Sequence, residues 1–191
     1  MTADRAIKRI RKGRVTKAAW LSAALDELER GGIEAVRVER LARILSVAKS
    51  GFYWHFKDRR DLHRHLLDYW FQEFTQVVTS NPQLLLGQAK ARLERVMKMI
   101  QEHDLARYDL AIRAWAKHDE MAQEVVQLVT KTRLDFLRQI FSEMGFAGDE
   151  LEMRTMLFVC YHSWESAIFG HMSPRKLTRL RKRRLEFLAK P

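Results

Sequence analysis

The stretch Val47-Ala48-Lys49-Ser50-Gly51-Phe52-Tyr53-Trp54-His55-Phe56, with Lys57 just beyond it, constrains this chain more than any other. Wound as an α-helix at about 100° per residue, it puts Phe52 and Phe56 on one side and Ser50, Tyr53, Trp54 and Lys57 on the other. The first side is a core face. The second carries hydrogen-bond donors, flat aromatic rings and positive charge. That is too much aromatic surface for an idle solvated face and too many polar tips for a buried one. Such a face fits a nucleic-acid surface.

The surrounding residues supply a scaffold for it. Thr16 reads as the N-cap of a first helix in which Ala18, Leu21, Leu25 and Leu28 recur at helical spacing until Gly31-Gly32. A short second helix, about Val38 to Leu45, turns Val38, Leu41, Ala42 and Leu45 inward. Asp58 can cap a fourth helix, through Leu62, Leu66, Tyr69, Trp70 and Phe74 to about Thr79. Asn81-Pro82 opens a fifth, predicted to run to about Glu102 with Leu86, Ala89, Leu93, Val96, Met97 and Ile100 inward. A sixth starts near Asp104 and ends about His118; Asp119 caps a seventh that continues to Met144. The eighth, about Asp149 to Phe169, is apolar nearly all round from Met156 to Tyr161. It must be buried on more than one side, by a partner surface or as a central core helix. Ser173-Pro174 caps a final helix with Leu177, Leu180, Leu185 and Leu188 on one face and Arg175, Lys176, Arg179, Arg181, Lys182, Arg183 and Arg184 on the other. With three prolines and eight glycines in 191 residues, the expected fold is all-α, about nine helices in total.

Charge is unevenly placed. Residues 1–60 hold 15 basic and 7 acidic side chains, residues 174–191 hold 8 basic and 1 acidic, and the middle is mildly acidic within a total of +11. A basic first third joined to a different middle fits a nucleic-acid reader attached to something with another task. Residues 1–14, with Arg5, Lys8, Arg9, Arg11, Lys12 and Arg14, read either as an arm for phosphates and a minor groove or as a plain tail. No apolar run approaches a membrane span and no secretory signal is visible, so the expected setting is cytoplasmic, without membrane contact. The single Cys160, in an apolar run, reads as a buried reduced thiol.

The run Val38-Glu39-Arg40-Leu41-Ala42, then Val47-Ala48-Lys49, then Phe52-Tyr53-Trp54-His55-Phe56, then Asp58-Arg59 and Leu62 resembles the helix-turn-helix of TetR-type transcriptional regulators. The likeness covers roughly the first third of the chain. It departs from the family at Arg37, where a capping Thr is usual, at Ser46, where the turn usually has Gly, and at Ala48, where a small polar residue usually opens the third helix. The resemblance implies a helix-turn-helix domain over residues 1–57 and a helical effector-binding and dimerisation domain over 58–191. It implies a dimer formed through the last two helices, reading a near-palindromic double-stranded DNA operator with half-sites about one helical turn, roughly 34–36 Å, apart. Lys49, Ser50, Gly51, Tyr53 and Trp54 are positioned to approach bases or sugars. Tyr53, His55 and Lys57 match phosphate-holding positions, and Arg37 and Arg59 at helix starts can act likewise.

In that family a small molecule entering a cavity among the middle helices shifts the fourth helix and releases the DNA. Candidate wall residues are Trp70, Phe74, Met97, Trp115, Phe158 and His162, although aromatics and Met at helical spacing are first of all what cores are made of. Asp109 and Arg113, four apart with the acid first, make an ordinary helix pair. In a hollow domain they and Glu165 become the polar groups that orient an effector. Enzyme chemistry is not expected: the chain has no His-Glu-x-x-His, no Gly-x-Ser-x-Gly, no Gly-rich phosphate loop and no Cys cluster. No cofactor or metal is expected either, and His63 and His65, two apart on a helix, diverge. The alternative function is an effector-independent DNA-organising or cell-division protein on the same fold, which a solid second domain would favour.

Overall fold

The computed structural model describes residues 15–190, so the basic arm expected at 1–14 lies outside the described residues. Among the described residues every regular element is helical. By packing the chain divides into two units. One contains the residues up to Phe71 together with Leu110–Val126, and the other contains Gln72–Asp109 and the residues from Gln127 onward. Leu110–Val126, expected in the second domain, thus packs with the first.

In the first unit, α1 (Lys17–Gly31) starts where the Thr16 hydroxyl accepts from the Ala19 N–H at 3.2 Å. It buries Trp20, Leu21, Leu25 and Leu28. A short 3₁₀ turn, Ile33–Ala35, leads to α2 (Val38–Ile44). α2 ends in a paired closure: Val47 N–H donates to the Ala42 carbonyl at 3.0 Å and Ser46 N–H to the Arg43 carbonyl at 3.1 Å. This closure requires a left-handed residue, and Ser46 adopts φ 54°. A serine therefore takes a conformation that a glycine holds with less strain.

Lys49–Trp54 follows as a 3₁₀ helix, correcting the expected α-helix. Packing explains the difference: the Phe52 ring is fully buried against Trp20, edge-on at 5.7 Å between centroids, and against Phe56 at 5.1 Å. So short a segment takes its shape from its anchor more than from helix propagation. The predicted division of faces survives, with Phe52 and Phe56 buried and Ser50, Tyr53, Trp54 and Lys57 exposed. α3 (Arg59–Phe71) begins at Asp58, whose carboxylate accepts from Asp61 N–H at 2.8 Å, while Asp61 accepts from Lys57 N–H at 2.9 Å.

The second unit receives the continuation of α3, which widens into a π turn at Gln72–Gln76 before its last turn, Val77–Thr79. The predicted fifth helix is two. α4 (Pro82–Leu85), capped by Asn81, stops before Gly87 at φ 84°, and α5 runs Ala89–Glu102. Leu86, expected inside, is exposed in the break. Asp104 does not open a helix but closes α5: at φ 51° it lets Leu105 N–H reach the Ile100 carbonyl at 3.0 Å. The next helix, α6, is correspondingly shorter, Asp109–Trp115. α7 (Glu120–Glu143) is capped by Asp119, α8 spans Gly148–Phe169, and α9 spans Pro174–Ala189 with Ser173 as cap.

Leu93, Val96, Met97, Leu137, Ile140, Phe141, Phe158 and Leu188 form the core of this unit. Burying each such side chain contributes about 1.5–3 kcal/mol before entropy is charged against it. Arg154 lies over the Phe146 ring at 3.9 Å and donates to the Phe187 and Leu188 carbonyls at 3.0 and 2.7 Å, fixing the end of α9 to α8. The basic face of α9 is not uniformly solvated. Arg181 and Arg184 turn in to the buried Glu165 carboxylate, at 3.1 and 3.4 Å.

Candidate functional site

Two features rise from this frame, one in each unit. In the first, Trp20 and Phe56 grip Phe52 and hold the 3₁₀ helix so that its other side faces outward. Tyr53 is 59% and Trp54 71% exposed, beside exposed Lys49 and Ser50. The Phe52 ring meets Tyr53 edge-on at 5.2 Å, so the exposed ring rests on a buried one. Lys49 is ion-paired with Glu39 of α2. That contact raises the Lys49 pKa and lowers the Glu39 pKa, chiefly through the hydrogen bond between them. A phosphate approaching Lys49 therefore competes with a carboxylate.

The remaining predicted contacts differ in availability. Gly51 packs its backbone toward Trp20, and a Cβ there would still have ordinary clearance of 4.0 Å. Lys57 is exposed. His55 is half-buried, its Nε2 bonded to the Val15 carbonyl at 2.8 Å, so it ties the start of α1 to the 3₁₀ helix. Arg59 donates to the Ile33 carbonyl at 2.9 Å and Arg37 to the Glu34 carbonyl at 2.9 Å, bracing the turn before α2. The internal hydrogen bonds of these three basic side chains depend on loop geometry that no spacing encodes.

The second feature is a cavity of about 50 Å³ in the second unit, walled largely by apolar side chains that include Phe74, Val96, Phe136 and Phe158. One end is polar. Asp109, fully buried, accepts both terminal nitrogens of Arg133, one at 3.1 Å, and the Ser163 hydroxyl at 2.9 Å. Arg133 also donates from Nε to the Thr75 hydroxyl at 3.0 Å and to the Phe74 carbonyl at 3.3 Å, both in the π turn. His162 closes the wall as a neutral ring: Nδ1 donates to the Phe158 carbonyl at 2.8 Å and Nε2 accepts from Arg184 at 3.1 Å. Burial first, and the nearby Arg184 second, push its pKa down to about 3.

Of the nine residues proposed for a hollow domain, Phe74, Asp109, Phe158 and His162 line this cavity. Trp70 and Met97 are buried elsewhere, Glu165 is occupied by Arg181 and Arg184, and Arg113 and Trp115 belong to the first unit. There the Trp115 indole meets His63 edge-on at 5.1 Å. Asp109, expected to serve Arg113 one turn on, serves Arg133 across 24 residues. Arg133 was missed, although a signal existed: it falls on the same face of α7 as buried Val129, Leu137 and Ile140, where a solvated cation does not belong. Thr75 and Ser163 carried no comparable signal.

On α8, Met153, Met156, Leu157, Trp164 and Ile168 are each between 44% and 56% exposed, and Cys160 lies among them. The thiol is thus exposed, not buried as expected, because the inward face of α8 is taken by Thr155, Phe158, His162 and Ser163. Among the described residues no group of three or more His, Cys, Asp or Glu is arranged to hold a metal ion, and no helix is long and apolar enough to cross a membrane.

Residues 21–66 match the family model for bacterial regulatory proteins of the tetR family. A search of curated proteins gives no match. Among solved structures, a transcriptional regulator from Rhodococcus sp. Rha1 superposes with a TM-score of 0.70 at 15% identity, over 91% of this chain and 95% of that one. A putative transcriptional regulator from Pseudomonas aeruginosa PAO1 gives 0.68 at 16%, over 95% and 93%. The transcriptional regulator FadR from Bacillus subtilis, in complex with stearoyl-CoA, gives 0.68 at 18%, over 92% and 98%. Residues 21–66 thus carry a helix-turn-helix segment of the tetR type, and the chain as a whole shares the all-helical fold of these solved regulators.

Proposed function

We propose that the chain is a dimeric, sequence-specific DNA-binding repressor whose hold on a near-palindromic operator is released by a small molecule. The observation that carries the DNA reading is the outward pair Tyr53 and Trp54, held on a buried Phe52 and flanked by Lys49 and Ser50. Lys49, Ser50, Gly51, Tyr53 and Trp54 approach base edges and sugars, and Lys57 holds phosphate. Arg37, His55 and Arg59 first shape the loop and reach phosphate only from those braced positions. The stripe on α8, with exposed Phe187 of α9 in the same unit, supports pairing of two copies through the last two helices. The protein is read as cytoplasmic, with no catalytic role.

Release by an effector is supported by the buried polar end of the cavity and by the stearoyl-CoA bound to one protein of similar fold. The cavity's small volume favours a second reading, an effector-independent DNA-organising protein. About 50 Å³ falls well short of the roughly 300–1,000 Å³ of ligand pockets, so an effector must open the site.

The test is equilibrium binding to labelled DNA from upstream of the protein's own gene, against scrambled competitor, at several salt concentrations. Competitor-resistant binding that weakens about tenfold on Tyr53→Ala is expected. Weak binding with a steep salt slope and no preference among genomic fragments would replace the repressor reading with the DNA-organising one.

A further inference from the structure

The polar end of the cavity has an uneven supply of hydrogen-bonding groups. Thr75, 1% exposed, lines it from the π turn. Its oxygen accepts from Arg133, but its own hydroxyl proton has no acceptor among the described residues. A buried donor left in that state is costly, and an incoming acceptor relieves it.

Charge is already spoken for. Arg133, the cationic side chain of the lining, is committed to both oxygens of Asp109, to Thr75 and to the Phe74 carbonyl. His162 is neutral, with both ring nitrogens engaged. Asp109 is likewise occupied by Arg133 and Ser163. A ligand carboxylate entering here finds no uncommitted cation, and a ligand ammonium finds no uncommitted anion. Either would bury charge without compensation or would have to break an existing pair. The other walls are apolar except at Thr79, whose hydroxyl donates to the Thr75 carbonyl at 3.4 Å, and the space of about 50 Å³ holds only one or two water molecules at about 30 Å³ each. A ligand enters by displacing apolar side chains and replacing their contacts with its own.

We propose that the cavity takes an uncharged, mainly apolar ligand whose hydrogen-bond acceptor, a carbonyl or ether oxygen, is met by the Thr75 hydroxyl. This rests on the effector reading above and names the chemistry of that same site. The ligand would meet the continuation of α3 at its π turn, a wide helical turn already held by Arg133.

The experiment is isothermal titration of the full chain with two matched sets of compounds. One set is benzylacetone, hydrocinnamate, phenylpropylammonium and butylbenzene. The other is methyl octyl ketone, nonanoate, nonylammonium and decane. The ketones are expected to bind about tenfold tighter than the hydrocarbons, and the charged members at least about a hundredfold weaker than the ketones. Thr75→Val should bring each ketone to the affinity of its hydrocarbon, while Thr75→Ser, which keeps the hydroxyl, retains the preference. Binding led by a carboxylate or an ammonium, or ketone affinity unmoved by Thr75→Val in a folded variant, overturns the proposal and leaves the effector reading standing. If neither set binds while specific DNA binding persists, the effector reading falls and takes this proposal with it.

Discussion

Asp109→Ala tests how far the second unit depends on one buried charge pair. Asp109 is fully buried, and the Arg133 side chain opposite it is 15% exposed. Removing the carboxylate strips the guanidinium of its counter-ion and the Ser163 hydroxyl of its acceptor. Breaking a buried pair from one side costs about 3–5 kcal/mol, mostly the cost of the orphaned charge. In a chain of this length that corresponds to a fall in Tm of about 6–20 °C. Asp109→Leu combined with Arg133→Met removes both charges at once and is expected to recover at least about half of the loss. The assay is urea unfolding followed by circular dichroism on wild type, Asp109→Ala, the singles Asp109→Leu and Arg133→Met, and their double. Asp135→Ala is the control: its partners Lys131 and Arg138 are substantially exposed, and the cost there should stay below about 1 kcal/mol. A loss below about 1 kcal/mol for Asp109→Ala, or strictly additive singles, would refute the reasoning. It would mean that the Asp109–Arg133 pair is not an energetic unit.

Three further outcomes follow from the geometry. Ser46→Gly should stabilise the first unit by up to about 1 kcal/mol in thermal unfolding, because relief of the left-handed strain at φ 54° slightly exceeds glycine's entropy cost. Trp164→Arg, in the middle of the exposed α8 stripe, should shift sedimentation toward monomer at micromolar concentration; unchanged assembly would remove that face from the interface. The His162 pKa is lowered in the folded chain to about 3, so its contribution is complete above the unfolded value of 6.5 and is lost as pH falls toward 3. The loss is at most about 1.4 kcal/mol per pH unit between those limits. His63, held at about 4 by burial and then by Arg59, loses stability in the same direction. His162→Gln should therefore flatten the slope of stability against pH between 4 and 6 without abolishing it.

Much of the fold was legible because its signals are local. Thr16, Asp58, Asn81, Asp119 and Ser173 each cap the helix that follows them, as their side chains and positions implied. The face of the 3₁₀ helix was legible too, because Phe52 and Phe56 are buried and Tyr53 and Trp54 are not. The helix type was not, since it is set by contacts of Phe52 with Trp20, 32 positions earlier in the chain. Left-handed closures at non-glycine residues misled the reading most: Asp104 looked like the start of a helix and is the end of one.

The cavity shows the same limit more sharply. An aspartate on a predicted helix invites the nearest arginine as partner, and spacing alone selects Arg113. The folded chain selects Arg133, because only a partner arriving on a packed helix can reach the fully buried Asp109, and α7 carries Arg133 in on its apolar face. Once that pair exists, the rest of the polar end is determined by it. Ser163 donates to the same carboxylate, and Thr75 and the Phe74 carbonyl take two further guanidinium donors at the turn where α3 widens. A charged residue on an otherwise buried stripe is thus the one sequence sign from which this site could have been found, and its meaning is relational: it marks a buried counter-charge elsewhere in the chain, not a ligand of its own.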